Sequence, residues 1–165
     1  MSIVRTYRRS ESEGQPRLDY REAWFAPGSG EVVVHHGRVG SSGTTSAEKV
    51  ADDAAGEELL AGFAVQCAED GFAELPTEEM DRLQVAYRLK GSEPTSVERG
   101  LVVKLRGELT NQLAWRGLGE VVGERLESGQ VVFEVATPHR RKAAAEVKAA
   151  ARLAGVQASR VTTSA

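Results

Sequence analysis

Residues 95–136 read TSVERGLVVKLRGELTNQLAWRGLGEVVGERLESGQVVFEVA, and this stretch combines one helical pattern with two strand patterns. Apolar residues recur at every fourth position in its first half, which predicts a helix from Thr95 or Ser96 to about Arg116. The predicted buried stripe of this helix consists of Val97, Leu101, Leu105, Leu109 and Leu113. β-Branched residues dominate its second half, where Ser128-Gly129 is typical of a tight turn between antiparallel strands. The two strands are predicted at 120–126 and 130–136.

The residues on either side of this stretch complete a regular series of elements. Residues 83–90 alternate apolar and polar side chains, as a half-buried strand does. Thr137 as N-cap and Pro138 as first residue predict a second helix to about Ala154, and 156–162 reads as a last strand. This strand-helix-strand-strand-helix-strand order is the split βαβ, or ferredoxin-like, plan. It predicts a four-stranded antiparallel sheet with both helices on one face.

Residues 1–75 predict a separate antiparallel sheet with one helix. Strand-like segments occur at 3–9, 18–26 and 31–36, and a Pro-Gly turn closes the hairpin between the second and third. The glycine-rich residues 37–46 are predicted as a loop, in which Val39 is an option for the start of a short strand.

A helix is then predicted from the N-cap Ser46 to about Asp70, with Gly56 as a point of interruption. Its buried face is predicted to contain Leu60, Phe63, Ala64 and Cys67. The acidic stretch that follows predicts a linker at 76–82, so the chain is expected to be an α+β protein with domains at 1–75 and 83–165.

The composition is that of a globular protein inside the cell. Apolar residues make up 41% of the chain and charged residues 27%, which is too apolar for a disordered chain. No apolar run reaches the roughly 18–20 residues that cross a bilayer, and the N-terminus lacks the pattern of a secretory signal. The single cysteine, Cys67, excludes an internal disulfide. We therefore expect a cytoplasmic protein with no membrane partner.

Residues 34–45, VHHGRVGSSGTT, resemble the WGR domain. In that family a strand ends in Trp-Gly-Arg, followed by Val or Ile, a Gly and a Gly-Gln-Thr-like step. The Asp70-Gly71-Phe72 step resembles the family's closing Gly-Tyr. The resemblance covers about residues 1–75, and His36 stands where the family has tryptophan.

The resemblance implies a nucleic-acid-binding or interdomain module, of the kind found in DNA-damage-responsive proteins. In that family the Trp and Arg approach the end of a DNA duplex. The residues implied here as contacts for nucleic acid or a protein partner are His36, Gly37 and Arg38. His36 would stack on a sugar or base, and Arg38 would contact phosphate.

A second candidate site is the basic start of the last predicted helix. It consists of His139, Arg140, Arg141 and Lys142. Free backbone N–H groups and these side chains would together bind a phosphate or carboxylate. The alternative interpretation is a solvated helix start, because runs of charge usually face water.

Few residues suggest catalysis or metal binding. His35 and His36 are neighbours on a strand and point to opposite faces, and His139 belongs to the other predicted domain, so three ligands do not converge. The glycine loop lacks the lysine of a phosphate-binding P-loop, and no Ser-His-acid set emerges. We therefore expect no enzyme activity, no metal and no cofactor.

Three functions remain open from the sequence. The first is a non-catalytic binding or adaptor protein that contacts nucleic acid or a protein partner. The second is an inhibitor of the immunity type, whose acidic first half (seven basic and fifteen acidic residues in 1–80) would be the contact surface. The third is a small-anion sensor that uses the C-terminal sheet. Open sheet edges would also allow a homodimer.

Overall fold

The chain forms two compact units, Met1–Leu75 and Pro76–Ala165, in a computed structural model that describes all residues from 1 to 165. Each unit contains one four-stranded antiparallel sheet, with one helix in the first unit and two in the second. The predicted α+β class is therefore confirmed. None of the helices combines the length and the apolar character that crossing a bilayer requires.

The sheet of the first unit has the order β1-β2-β3-β4, and every neighbouring pair is antiparallel. Its strands are β1 (Ser2–Ser12), β2 (Gln15–Phe25), β3 (Glu31–Arg38) and β4 (Thr44–Lys49). Glu13 and Gly14 join β1 to β2 with φ values of 54° and 74°, the sign that a type I′ hairpin turn requires. The predicted hairpin between β2 and β3 is confirmed.

The predictions for 37–52 are partly wrong. Residues 44–49 form the edge strand β4, where the end of a loop and the start of a helix were predicted. Ser46 pairs with Val34 instead of capping a helix. Val39 lies buried in the turn before β4 and begins no strand. The helix α1 (Asp53–Glu69) begins later, where the side chain of the N-cap Asp52 accepts a hydrogen bond from Ala55 N at 2.8 Å. The open edge of β3 provides hydrogen-bond partners for the backbone groups of residues 44–49. The first N–H groups of a helix would have no such partners.

The core of the first unit lies between α1 and one end of a sheet face. Its fully buried members are Ala23, Phe25, Val32 and Leu60. Gly56 lies in α1 against the Phe25 ring, where an added Cβ would be 2.5 Å from a ring carbon. The prediction that Gly56 interrupts the helix is therefore wrong, because this glycine instead lets the helix approach the sheet.

The sheet of the second unit has the order β6-β7-β5-β8, and all its pairs are antiparallel. Its elements are β5 (Asp81–Arg88), α2 (Ser96–Ala114), β6 (Glu120–Glu127), β7 (Gln130–Thr137), α3 (Arg140–Leu153) and β8 (Val161–Ser164). This element order is the predicted one. The helices contact each other and the sheet, so they lie on the same face.

Some details of the second unit differ from the predictions. The predicted linker 76–82 contains a short 3-10 helix, Thr77–Glu79, and the first residues of β5. The last strand begins at Val161 and follows a second 3-10 helix, Ala158–Arg160. The buried stripe of α2 contains Leu105, Leu109 and Leu113 as predicted, but Val97 is 74% exposed. Val97 lies in the first turn, where Glu98 takes the inward position.

Glu98 ties the start of α2 to two other parts of the second unit. Its carboxylate accepts hydrogen bonds from Thr95 N (3.1 Å), Lys90 N (3.0 Å) and Arg160 (2.5 Å). Thr95 in turn accepts a hydrogen bond from Glu98 N at 3.2 Å, which completes a capping box. These contacts, with the Arg160 hydrogen bond first, lower the pKa of Glu98 to about 2.

This lowered pKa predicts an acid-sensitive second unit. The Glu98 contribution to stability should be complete above pH 4.5, the ordinary pKa of this carboxyl, and lost as the pH falls towards about 2. Urea unfolding followed by far-UV circular dichroism should show a flatter pH dependence in this window for Glu98→Gln. Glu93→Gln, which changes an exposed carboxylate nearby, should retain the wild-type slope. Equal slopes for Glu98→Gln and the wild type would contradict the prediction.

Candidate functional site

The predicted residues His36, Gly37 and Arg38 line one concave site in the first unit, a cleft of 180 Å³. The other lining residues are Arg8, Arg17, Asp19, Tyr20, Arg21 and Phe72. We refer to this set as the arginine cleft. It contains four of the seven basic residues in 1–80, so an otherwise acidic half presents a locally basic surface.

Strand pairing explains how distant residues reach this cleft. Residues that lie opposite each other in an antiparallel pair share a face of the sheet. Arg8, Asp19 and Arg38 form one such row across β1, β2 and β3, and Arg21 lies opposite His36 in the next row. The same face continues into the apolar core under α1. Because α1 ends at Glu69, the basic end of the face remains open.

Phe72 provides an aromatic surface for two of the arginines. Tyr7 and Ala73 exchange backbone hydrogen bonds of 2.8 and 2.9 Å, which hold the segment after α1 against β1. The guanidinium groups of Arg8 and Arg21 then lie over the Phe72 ring, 4.6 and 4.3 Å from its centre. Such cation–π contacts orient the two cations on the buried ring.

Two carboxylates neutralise part of the positive charge. Asp70 pairs with Arg21, and this hydrogen bond holds the pKa of Asp70 below its usual range. Both carboxylate oxygens of Asp19 lie 2.8 Å from Arg17 Nε.

The remaining arginines of the cleft keep unused donors. The guanidinium of Arg38 makes no hydrogen bond or ion pair. Arg8 donates to the Asp70 carbonyl at 3.2 Å, but its buried Nε has no partner. Arg8 Nη2 also lies 4.0 Å from the Asp19 carboxylate. The arrangement is chemically suited to an anion with several oxygen atoms, because the exposed Arg38 can still donate paired N–H groups to it.

A buried hydrogen-bond network lies on the opposite face of the same strands. Arg5, Glu22 and His35 lie opposite one another on β1, β2 and β3. Glu22 contacts Arg5 Nε at 2.7 Å and His35 Nδ1 at 2.8 Å. His35 Nε2 contacts the Ser42 carbonyl at 2.7 Å and the Tyr20 hydroxyl at 2.9 Å. We refer to these contacts as the His35 network.

The His35 network holds a loop and offers no surface to a substrate. His35 and Tyr20 are fully buried, and Glu22 is 3% exposed. The Ser42 carbonyl occupies Nε2, and the Tyr20 hydroxyl donates to the Ser41 carbonyl at 3.3 Å. The carboxylate, imidazole and phenol therefore fix the loop after Arg38. The expected opposite orientation of the two histidines is confirmed, since His36 is exposed.

Two glycines allow the loop to approach this network. Gly43 has φ of +67°, and a Cβ there would overlap the Tyr20 hydroxyl and lie 2.9 Å from His35 Nε2. A Cβ on Gly37, which has no positive φ, would lie 2.7 Å from the Gly43 Cα. The interpretation that these glycines only permit a turn is therefore incomplete, because close packing also requires them.

The second candidate site lies in the second unit, at the start of α3. His139 is the N-cap of this helix, so the predicted cap Thr137 is wrong. Thr137 Oγ1 instead accepts a hydrogen bond from His139 N at 3.2 Å. Arg140 and Arg141 are exposed in the first turn and Lys142 is half-buried. None of these four residues lines the arginine cleft.

The chain contains no group of three or more His, Cys, Asp or Glu side chains arranged to hold a metal ion. Cys67 is fully buried on α1, as predicted. Comparison of the chain with protein-family models, curated proteins and solved structures finds no match.

Proposed function

We propose that this chain is a non-catalytic binding or adaptor protein whose first unit contacts the phosphate groups of nucleic acid in the arginine cleft. The observation that carries this proposal is the convergence of four guanidinium groups on one open end of a sheet face. Arginine binds phosphate through paired N–H donors, and Arg38 has all of its donors unused. The WGR resemblance implies contacts at His36, Gly37 and Arg38, and these three residues line the cleft.

The size of the cleft supports contact with the end of a nucleic-acid strand or with a single backbone phosphate. A volume of 180 Å³ is about six times the share of one water in the liquid, which suits one phosphate and part of its sugar. Phe72 is only 5% exposed and already covered by arginines, so His36 is the ring available to stack on a sugar or base. The second unit, with its ferredoxin-like plan, would be a partner module in this adaptor.

A non-catalytic role is favoured by the position of the reactive side chains. The one acid-imidazole-hydroxyl arrangement, in the His35 network, is closed to solvent and bonded to backbone carbonyls. The cleft itself offers donors and charges but no free nucleophile beside a base. Binding chemistry is therefore the better match to the arginine cleft.

Removing Arg38 should weaken binding of a blunt, 5′-phosphorylated DNA duplex. The change Arg38→Ala should lower affinity about tenfold at low salt, and should reduce the slope of log K against log salt by about 1. Fluorescence anisotropy of a labelled duplex measures both quantities.

Arg9→Ala is the matched control, because Arg9 is an exposed arginine of β1 outside the cleft. It should change the affinity much less than Arg38→Ala. The proposal fails if the wild type binds no duplex at low salt, or if the two variants lose affinity equally.

A further inference from the structure

A second cavity lies within the second unit, between the ends of several elements. It has a volume of 280 Å³ and is lined by Tyr87, Lys90, Leu101, Gly155, Val156, Gln157 and Arg160. Tyr87 is on β5, Leu101 is on α2, and Gly155 to Gln157 follow α3. None of these residues belongs to the arginine cleft or to the basic start of α3.

Tyr87 is the residue that points to a ligand. Its side chain is fully buried, and its hydroxyl has no hydrogen-bond partner in the protein. Buried hydroxyls are almost always paired, with protein or with another molecule. Burial also raises the pKa of Tyr87, so the group remains a phenol that can donate. A ligand acceptor atom that enters from the adjoining cavity and displaces the groups covering the hydroxyl would satisfy this donor.

Arg160 is held rigidly at the same cavity. Its guanidinium lies over the Tyr87 ring at 4.8 Å, and its Nε donates to the Arg88 carbonyl at 2.8 Å. Nη2 donates to Glu98 at 2.5 Å, while Nη1 makes no hydrogen bond. Part of a preoriented guanidinium therefore stays available for a ligand.

The charges around the cavity define the ligand's charge. Glu98 is 2% exposed and pairs with Arg160, so these two charges offset each other. The Lys90 ammonium is exposed and makes no hydrogen bond or ion pair, and no acidic residue lines the cavity. One positive charge therefore remains uncompensated, which suits a ligand with a single negative charge.

The apolar walls define the rest of the ligand. Leu101 and Val156 face the cavity together with the Tyr87 ring, while the Gln157 amide adds a polar group. The volume corresponds to about nine water volumes, close to the lower end for small-ligand sites.

We infer that the second unit binds a small organic monocarboxylate of roughly seven to nine non-hydrogen atoms in total, with an apolar body attached to the carboxylate. Lys90, the Tyr87 hydroxyl and Arg160 Nη1 bind the carboxylate. Leu101 and Val156 contact the apolar body. This site is independent of the proposed nucleic-acid contact, since all its residues lie in the other unit.

The test uses the full chain labelled with ¹⁵N and titrated with benzoate, with hexanoate and with the neutral amide benzamide. Both carboxylates should give saturable amide shifts at and near Tyr87, Lys90 and Gln157 at millimolar concentration. Benzamide should bind about tenfold more weakly, because it lacks the charge that Lys90 recognises. Inorganic sulfate should not reproduce these shifts, because it leaves the apolar walls uncovered.

Two variants separate ligand binding from folding. Tyr87→Phe should weaken benzoate binding about tenfold and leave the melting temperature unchanged or higher, because the hydroxyl has no partner in the free protein. Lys90→Gln should weaken benzoate to a similar extent, whereas Lys104→Gln, an exposed lysine on α2, should not.

The inference is overturned if neither carboxylate gives a saturable shift, as expected of a cavity that holds only water. It is also overturned if benzamide binds as tightly as benzoate, or if Tyr87→Phe binds benzoate as the wild type does.

Discussion

Replacing His35 with alanine is expected to lower the free energy of unfolding of the first unit by about 3–5 kcal/mol. The substitution removes the contacts of both ring nitrogens and leaves the buried Glu22 carboxylate paired only with Arg5. It also leaves the Ser42 carbonyl and the Tyr20 hydroxyl without their shared partner. Because these groups fix the loop after Arg38, the arginine cleft should lose its shape as well.

His36 provides the matched control from the next position of the same strand. His36→Ala should change the free energy of unfolding by no more than about 0.5 kcal/mol, because its side chain is exposed. It should nevertheless weaken DNA binding, since His36 lines the cleft. Amide hydrogen exchange of β2 and β3 measures the stability of this unit within the full chain. Similar losses of protection in the two variants would show that the His35 network does not stabilise the sheet.

The change Gly43→Ala is expected to cost about 2–5 kcal/mol through two separate effects. An alanine at φ of +67° costs about 1–2 kcal/mol, and forcing a Cβ into a packed site costs about 1–3 kcal/mol more. The added Cβ would overlap the Tyr20 hydroxyl and lie 2.5 Å from the His36 carbonyl oxygen. Either the loop or the His35 network must then move. Chemical denaturation and amide exchange at residues 41–44 would measure the effect.

Gly30→Ala separates the two effects, because Gly30 has nearly the same φ, +72°, with no atom within 4 Å of an added Cβ. The free energy of unfolding of this variant should fall only by the cost of the positive φ, about 1–2 kcal/mol. If both alanine variants lose the same stability, the backbone conformation alone accounts for Gly43. The close contact with Tyr20 would then be unimportant.

The second unit was predictable because its elements have clear periodicity and clear ends. Thr95 begins α2 with a capping box, and Ser128-Gly129 joins β6 to β7 with two positive φ values. In the first unit the prediction fails at β4. All six residues of β4 are exposed, so neither face enters the core and no apolar alternation marks the strand.

Only the part of the candidate site that lies within one short segment was predictable from the sequence. The WGR resemblance selected His36, Gly37 and Arg38, which line the cleft together. The other arginines converge through strand pairing, which depends on register and is not visible within one segment. One local signal was present, because Arg17, Asp19 and Arg21 place charges at every second position of β2.

The His35 network had no comparable signal. Its members are Arg5, Tyr20, Glu22, His35 and the Ser42 carbonyl, which come from four separate segments. In the sequence, His35 is a candidate only for metal binding or for a Ser-His-acid set, and neither is supported by its neighbours. The sequence of an isolated HH pair does not show which histidine is buried. That depends on which face of the sheet is covered by the rest of the protein.

The division into two units gives each half its own optical reporter. The chain has two tryptophans, and they fall one to each unit. Trp24 is half-buried in β2, whereas Trp115 follows α2 and is 46% exposed. Replacing either indole with phenylalanine would leave an emission spectrum that belongs to one half alone. Intrinsic fluorescence could then follow the melting of each half in the intact chain, with no added dye and no cut in the polypeptide.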